Sequence, residues 1–350
     1  MFTNLIVPLD GSTVAANVIP HVVAMARATD AKVTLLRVMV EASTTGLGVD
    51  PVGWQLQKSE AQAYLDGVCE HLTPLISLQP AAVLLEGRTA DRIIEYARQS
   101  DCDLVVLSSH GQGGISGWNV SSVAHKVIGR IGSSILLVRA YQMSDQPTSD
   151  AELHYRRIVV PLDGSARAEH VLPVAVALAE WHDATVHLVH VVTPPPFLQR
   201  MPLTPEENAL VEQVFERNQQ HAQKYLEQLQ QRLRPEPQIH VITGENVAAA
   251  LHKFVAQQEA DLLVMSAHGQ SAQRQWLYGS LVTSFIDHGA TSLLVLQDMP
   301  AGAIEPTAAE LAAEANRRAP SRPNGASSYV GNYAGADQPS QGKDYAVAVI

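Results

Sequence analysis

An internal repeat is the feature that most constrains this chain. The run Asn4-Leu-Ile-Val-Pro-Leu-Asp-Gly-Ser12 recurs as Arg157-Ile-Val-Val-Pro-Leu-Asp-Gly-Ser165, with the aspartates 153 positions apart. A second pair, Ser108-Ser-His-Gly-Gln112 and Ser266-Ala-His-Gly-Gln270, recurs at an offset of 158. Two matched landmarks at nearly one offset indicate one structural unit written twice.

The repeat divides the chain into domains. We predict a first domain over residues 1–140, a linker over 141–155 and a second domain over 156–298. Residues 299–350 differ in kind, because the stretch 320–344 is rich in Gly, Ser, Pro, Asn and Gln. Such a composition cannot bury enough apolar surface to offset the entropy of ordering. We therefore predict a disordered C-terminal tail.

Each copy alternates short apolar runs with longer helical patterns, in the order βαβαβαβαβ. The runs are nearly continuous in Val, Ile and Leu, as in strands that are covered on both faces. Strict alternation predicts parallel strands joined by right-handed crossovers. The fold class is therefore α/β, with two doubly wound, five-stranded, Rossmann-like domains in tandem. The first helix of each copy is expected to run unbroken, over 14–29 and 168–181.

Composition limits the partners and the location. Lys and Arg number 24 against 35 Asp and Glu, a formal net charge of −11 that gives no attraction to nucleic acid or anionic lipid. No apolar run approaches the roughly 18 residues of a membrane span. Cys69 and Cys102 are the only cysteines, and they are expected to be buried thiols of a reducing compartment. We predict a cytoplasmic protein without nucleic-acid or membrane partners.

The loop after the fourth strand has the pattern of an anion-binding site. In the second copy Gly269 is followed by nine residues, then by Gly279-Ser280 and a helix. Glycines let backbone amides approach a ligand, and a helix start offers unpaired N–H groups with partial positive charge. Ser280 is expected either to donate to a phosphate oxygen or to cap the helix.

This Gly-x9-Gly-Ser loop, in a unit that opens Val-Pro-Leu-Asp-Gly-Ser, resembles the universal stress protein family. The resemblance implies an adenine nucleotide alpha-hydrolase-like fold and, in ATP-binding members, a Gly-x2-Gly-x9-Gly-Ser/Thr loop. Gly269, Gly279 and Ser280 would then hold phosphate and ribose, with Ser266 in place of the first glycine.

In the first copy Gly111 and Ser122 match that pattern, whereas Ser108 and Ser121 replace the first and third glycines. If the motif needs a positive φ at the third glycine, Ser121 weakens the first site. We expect two nucleotide sites, of which the second is the more secure.

The resemblance also implies an adenosine pocket at the ends of the first two strands. Its aspartate would accept hydrogen bonds from adenine or ribose, and the backbone of a valine on the second strand would contact the base. Two alternatives stay open, namely that the aspartates cap the next helix and that the valines are plain core residues. The residues concerned, with the adjacent prolines, are Pro8, Asp10 and Val38 in the first copy and Pro161, Asp163 and Val191 in the second.

His110 and His268 each precede a glycine of the loop. Neither has a recognisable Ser-His-Asp or Cys-His arrangement around it, and no metal-binding spacing such as His-Glu-x-x-His occurs. A neutral histidine that orients the loop is the favoured interpretation, so no catalytic or metal-binding residue is assigned.

The resemblance thus implies a nucleotide-dependent stress-response regulator that binds ATP, ADP or AMP, with Mg²⁺ held through the phosphates. Two alternatives remain, a scaffold that binds no nucleotide and an enzyme that hydrolyses ATP slowly. The fifth strands, over 135–138 and 293–296, are apolar edges that in the family pair two units. We expect them to form an intramolecular pseudo-dimer, and further homodimerisation stays open.

Overall fold

The computed structural model describes residues 1–40, 51–111, 120–139, 153–194, 204–269 and 277–298. Most of the predicted linker, 141–152, and the whole predicted tail, 299–350, lie outside the described residues. So do the central parts of both loops that follow the fourth strands, at 112–119 and 270–276.

The described residues form ten strands, five in each repeat, at the positions that the apolar runs predict. In the first repeat they are β1 (Asn4–Pro8), β2 (Lys32–Met39), β3 (Ala81–Glu86), β4 (Leu104–Ser108) and β5 (Ser134–Val138). In the second they are β6 (Arg157–Pro161), β7 (Thr185–Val192), β8 (Gln238–Thr243), β9 (Leu262–Ser266) and β10 (Ser292–Leu296).

Ten helices connect these strands within the same residues. The first repeat has α1 (Thr13–Ala16), α2 (Ile19–Thr29), α3 (Pro51–Leu72), α4 (Thr89–Gln99) and α5 (Ser122–Ile128). The second has α6 (Ala166–Glu169), α7 (Leu172–His182), α8 (Pro205–Arg232), α9 (Val247–Gln257) and α10 (Ser280–His288).

The prediction of one unbroken helix after the first strand of each repeat is wrong. The chain instead ends a one-turn helix, α1 or α6, and starts a new one, α2 or α7, three residues later. Pro20 and Pro173 stand in the first turn of the new helix. Proline lacks an N–H and clashes with the preceding turn inside a helix, but it is well tolerated in the first turn. The break therefore falls just before each proline.

All ten strands belong to one sheet, in the order β3-β2-β1-β4-β5-β10-β9-β6-β7-β8. Pairing within each repeat is parallel, as predicted for a doubly wound unit. The two fifth strands pair antiparallel, with Leu136 opposite Leu294 at the centre. This confirms the prediction that the fifth strands pair within the chain.

The antiparallel junction decides where the strand ends lie. Strands of the first repeat run opposite to those of the second, because the only change of direction in the described sheet occurs between β5 and β10. The carboxyl ends of the first-repeat strands therefore lie on one side of the common sheet, and those of the second-repeat strands lie on the opposite side, at the other end of the strands. Since doubly wound sheets bind ligands at carboxyl ends, the two candidate sites are far apart.

Both faces of the sheet are covered by cores that run across the two repeats. One core packs α2, α3, α7 and α8 against the sheet, and includes Leu5, Val22 and Leu65 together with Ile158 and Leu226. The other packs α4, α5, α9 and α10 against the opposite face. The repeats therefore share their cores.

Polar groups are also buried where the repeats meet. His21 of α2 shares a 2.8 Å hydrogen bond with the hydroxyl of Tyr155, which is fully buried. On the other face Arg139, also fully buried, donates to the carbonyl oxygens of Phe285 and Ile286 near the end of α10. A first-repeat cation thus meets the negative end of a second-repeat helix.

We expect His21 to make stability depend on pH. Burial lowers the pKa of His21 to about 4, from 6.5 for the unperturbed group. His21 in the unfolded chain therefore takes up a proton at a higher pH than His21 in the folded protein. The contribution of neutral His21 to the free energy of unfolding is complete above about pH 6.5 and is lost as the pH falls toward 4. Linkage gives a loss of about 2 kcal/mol in the free energy of unfolding between pH 7 and pH 5.

The second repeat supplies the matched substitution, because Val174 occupies the position of His21 in α7. In urea titrations at pH 7 and pH 5, His21→Val should reduce the difference in unfolding free energy between the two pH values by about 2 kcal/mol. A difference equal to that of the unsubstituted protein would contradict the assignment.

Candidate functional site

In each repeat, the aspartate after the first strand lies in close contact with the glycine after the fourth strand. Asp163 Oδ1 accepts hydrogen bonds from Ser165 N at 2.9 Å and Ser165 Oγ at 2.6 Å. Its other oxygen, Oδ2, lies against Gly269 so closely that a Cβ at 269 would overlap it. The glycine is therefore required by the position of the carboxylate.

The first repeat has the same construction. Asp10 Oδ1 accepts from Ser12 N at 2.9 Å and Ser12 Oγ at 2.6 Å, and a Cβ at Gly111 would overlap Asp10 Oδ2. In both repeats the serine caps the next helix, with Ser12 accepting from Ala15 N. The alternative that the aspartates themselves cap these helices is therefore wrong.

A cleft of about 1090 Å³ opens at the carboxyl ends of β6, β7 and β9. It is bounded by the N-terminal ends of α9 and α10, and it is lined by every second-repeat residue predicted from the sequence. Those residues are Pro161, Asp163, Val191, Ser266, His268, Gly269, Gly279 and Ser280. Sequence reasoning missed four polar members of the lining, His190, Asn246, Tyr278 and Thr283.

The helices that follow the two loops start differently. Gly279 is the N-cap of α10, and no side chain caps that helix. In α5 the N-cap is Ser121, whose hydroxyl accepts a hydrogen bond from Ala124 N. Both N-caps are extended, with φ of −69° at Gly279 and −66° at Ser121. The condition under which Ser121 would weaken the first site, a positive φ at this position, is therefore not met, and the difference between the repeats lies in the cap.

Ser280 and Ser122 are the first helical residues of α10 and α5, and both are exposed. Neither is an N-cap, since the residue before each has that position. The capping alternative for Ser280 is therefore wrong, whereas its hydroxyl remains available at the mouth of the cleft.

The serines that replace the first glycine also differ. Ser108 Oγ donates to the carbonyl of Val14 at 3.3 Å. Ser266 is 8% exposed, and its hydroxyl is buried without a hydrogen-bond partner.

The loop histidines are buried, and each is held by a neighbour of its own repeat. His268 Nδ1 lies 2.6 Å from Asp298 Oδ1, and Asp298 Oδ2 lies 3.6 Å from Arg167 Nε. His110 Nδ1 instead lies 3.0 Å from the hydroxyl of Ser109. Asp298 could not be paired with His268 from the sequence because the two are 30 positions apart, although Asp298 lies two residues after β10, the strand beside β9.

The turn after the first strand is filled in one repeat and open in the other. A Cβ at Gly11 would meet the guanidinium of Arg37, which lies over the Tyr64 ring at 5.3 Å from its centroid. Nothing lies within 4 Å of the corresponding position at Gly164.

The second-repeat counterpart of the arginine is His190, which meets the ring of Tyr225 edge-on. Burial lowers the pKa of His190, so its imidazole is neutral near pH 7, whereas its first-repeat counterpart, Arg37, is a cation.

Val38 and Val191 both pack partly buried against the second core, and Val191 also lines the cleft. Pro8 and Pro161 are the last residues of β1 and β6. The first-repeat residues therefore occupy the same places in the fold as their second-repeat counterparts, but with different local contacts.

Comparison with known proteins agrees with this architecture. The model of the universal stress protein family matches residues 1–139 and 154–297. The chain therefore belongs to the universal stress protein family, with two copies of its domain in tandem.

Individual relatives match one repeat or both. A universal stress protein of Methanocaldococcus jannaschii is 27% identical over 143 residues, which is 40% of this chain and 83% of the relative. Another, from Bacillus subtilis, is 27% identical over 150 residues, 40% of this chain and 100% of the relative. The crystal structure of a universal stress protein from Archaeoglobus fulgidus covers 85% of this chain and 98% of its own, with TM-score 0.56 and 15% identity. That likeness concerns the fold.

Two further findings concern only the described residues. No helix among them has the length and apolar character needed to cross a membrane. Nor do they contain a group of three His, Cys, Asp or Glu side chains that could hold a metal ion.

We expect Gly269→Ala to destabilise the protein, because its Cβ would displace the Asp163 carboxylate from Ser165. Overpacking of this kind costs about 1–3 kcal/mol in unfolding free energy, measurable by urea denaturation. Gly67→Ala is the matched control: nothing lies within 4 Å of that Cβ in α3, so it should stabilise by about 0.5–1 kcal/mol. Equal effects of the two substitutions would contradict the close approach.

Proposed function

We propose that the second repeat binds an adenine nucleotide, ATP, ADP or AMP, and that occupancy of this site regulates what the protein does in a stress response. The observation that carries the proposal is the start of α10, which has a glycine N-cap, no side-chain cap and a position on the wall of a cleft. Helix starts of this kind bind phosphate through unpaired N–H groups and the helix dipole.

The rest of the cleft suits the nucleoside. A volume of about 1090 Å³ lies just above the usual range for small-molecule sites, and the wall formed by Val191, Leu251 and Met265 is apolar. In our proposal, Asp163 accepts hydrogen bonds from the adenosine and the backbone at Val191 contacts the base. Gly269, Gly279 and Ser280 hold the phosphates, so that any Mg²⁺ is bound through phosphate oxygens.

The first repeat is the weaker candidate for three reasons. Ser121 already satisfies an N–H group at the start of α5. The Arg37 guanidinium occupies the space beside Gly11 that is open beside Gly164. Ser108 is bonded to the Val14 carbonyl. We therefore propose one nucleotide for each chain, held by the second repeat.

We propose binding without efficient hydrolysis. The His268 side chain, although paired with Asp298, is only 1% exposed, so it does not reach a water in the cleft. A general base must lie within hydrogen-bond distance of the proton that it removes. In this proposal the pair fixes the loop that carries Gly269.

Stoichiometry tests the proposal directly. Protein purified without added nucleotide is denatured, the supernatant is separated by chromatography, and the native protein is titrated calorimetrically with ATP and Mg²⁺. We expect one equivalent of adenine nucleotide per chain. Absence of both carried-over nucleotide and binding heat would refute the proposal and favour a scaffold, and rapid turnover would favour an enzyme.

Exchanging the helix caps between the repeats tests which site binds. Gly279→Ser should weaken ATP binding about tenfold, because the new hydroxyl competes with phosphate for the α10 N–H groups. Its Cβ meets nothing closer than 3.5 Å, and serine-for-glycine caps change stability by only a few tenths of a kcal/mol.

The matched control is Ser121→Gly, which opens the start of α5 and should leave ATP affinity unchanged in calorimetric titration. A gain of affinity with Ser121→Gly, together with no loss for Gly279→Ser, would assign the site to the first repeat.

A further inference from the structure

The helix that lines the second-repeat cleft is held at its far end by a residue of the first repeat. Arg139, which directly follows β5, is fully buried and donates to the carbonyl oxygens of Phe285 and Ile286. These belong to the last four carbonyl groups of α10, which have no partner within the helix. The other end of this nine-residue helix, about 13 Å away, is the uncapped start on the wall of the cleft.

The repeats differ in the charge that they bring to this contact. The last turn of α10 contains Asp287 and His288 but neither Lys nor Arg, whereas the last turn of α5 contains Lys126. The counterpart of Arg139 after β10, at the offset of 158, is Gln297, which is neutral. The first repeat therefore supplies the cation that the end of α10 lacks.

The charge of Arg139 acts on the helices around the cleft. Burial lowers the pKa of His252 on α9, and the charges of His288 and Arg139 lower it further. The His252 ring stacks on that of Phe285 with centroids 3.8 Å apart, and its Nε2 lies 3.2 Å from Ser284 Oγ. Arg139 is therefore effective between α9 and α10, whose N-terminal ends bound the cleft. A charge acts over a longer distance in such an interior than in water.

We propose that Arg139 is a positioning residue of the second-repeat site, and that its buried charge makes phosphate binding at the start of α10 depend on the first repeat. The inference rests on the proposed function, since it concerns the affinity of that same site. The hydrogen bonds of Arg139 fix the end of α10 against the β5–β10 junction. Its charge offsets the negative pole of the helix, so the positive potential at the start favours an anionic ligand more strongly.

Packing alone gives no reason for a guanidinium at this place. Removing a charge from water carries a large cost, and apolar side chains of similar volume often replace buried charges without loss of stability. A role for the charge itself accounts for an arginine that is fully buried at the end of this helix.

Arg139→Gln and Arg139→Lys test the inference in calorimetric titrations with ATP, AMP and adenosine at about 10 mM ionic strength, where screening is weak. For Arg139→Gln we expect ATP affinity to fall about tenfold, AMP affinity about threefold and adenosine affinity less than twofold, because the interaction grows with the phosphate charge. Arg139→Lys keeps the charge and should bind ATP within about threefold of the unsubstituted protein. In NMR titrations the pKa of His252 should rise in Arg139→Gln and stay unchanged in Arg139→Lys.

Leu136→Ala is the matched control for damage to the junction. Leu136 is fully buried in β5, opposite Leu294 of β10. Its truncation should lower the melting temperature but change the affinities for ATP and adenosine by less than about twofold, and it should leave the pKa of His252 unchanged.

Asp287→Lys tests the charge at a position that folding does not depend on. The Asp287 side chain is 39% exposed in the last turn of α10. The new cation should raise ATP affinity about twofold to threefold at low ionic strength and leave adenosine affinity unchanged. No gain in ATP affinity would overturn the inference even if Arg139→Gln does not fold.

The outcomes separate the two proposals. If the unsubstituted protein binds neither ATP nor adenosine, the proposed function and this inference both fail. If it binds ATP, this inference fails and the proposed function stands when Arg139→Gln binds ATP equally well, when it loses ATP and adenosine affinity alike, or when Arg139→Lys loses as much ATP affinity as Arg139→Gln.

Discussion

The antiparallel pairing of β5 with β10 is the contact on which the rest of the structure depends. It turns two five-stranded units into one sheet and removes an apolar edge from each unit, an edge that would otherwise be open to another chain. It also brings Arg139 to the end of α10 and lets continuous cores cover both faces. Because this pairing reverses the strand direction, the two candidate sites lie at opposite ends of the strands.

Within that shared frame, few residues distinguish the repeats. Both hold an aspartate against a glycine in the same way, so the support of the site is common to them. The differences lie at the cap of the helix after the loop and in the space beside the first turn. Ser121 caps α5, whereas no side chain caps α10. Arg37 fills the space beside Gly11, whereas the space beside Gly164 is open. The two repeats therefore share the packing that supports the loop and differ in the residues around it.

Much of the architecture could be predicted from sequence, since strands covered on both faces read as continuous apolar runs and doubly wound topology follows from alternation. Where prediction failed, the cause was local or long-range chemistry. The helix breaks had a readable signal in Pro20 and Pro173, which went unused. At Ser121 only the structure shows an N-cap with a negative φ, because a serine before a helix suits a cap as well as a strained turn. Asp298 could not be assigned to His268, because only strand pairing makes them neighbours.

The sequence by itself determined the duplicated unit, the fold class and the residues that converge on the cleft. These follow from periodicity and from motif positions at strand ends, which a chain carries locally. Only the tertiary structure decided which helix start is capped, which hydroxyls are buried without partners and which turn is filled by an arginine. Such properties depend on atoms from distant segments meeting at hydrogen-bond distance, and no local pattern records those distances.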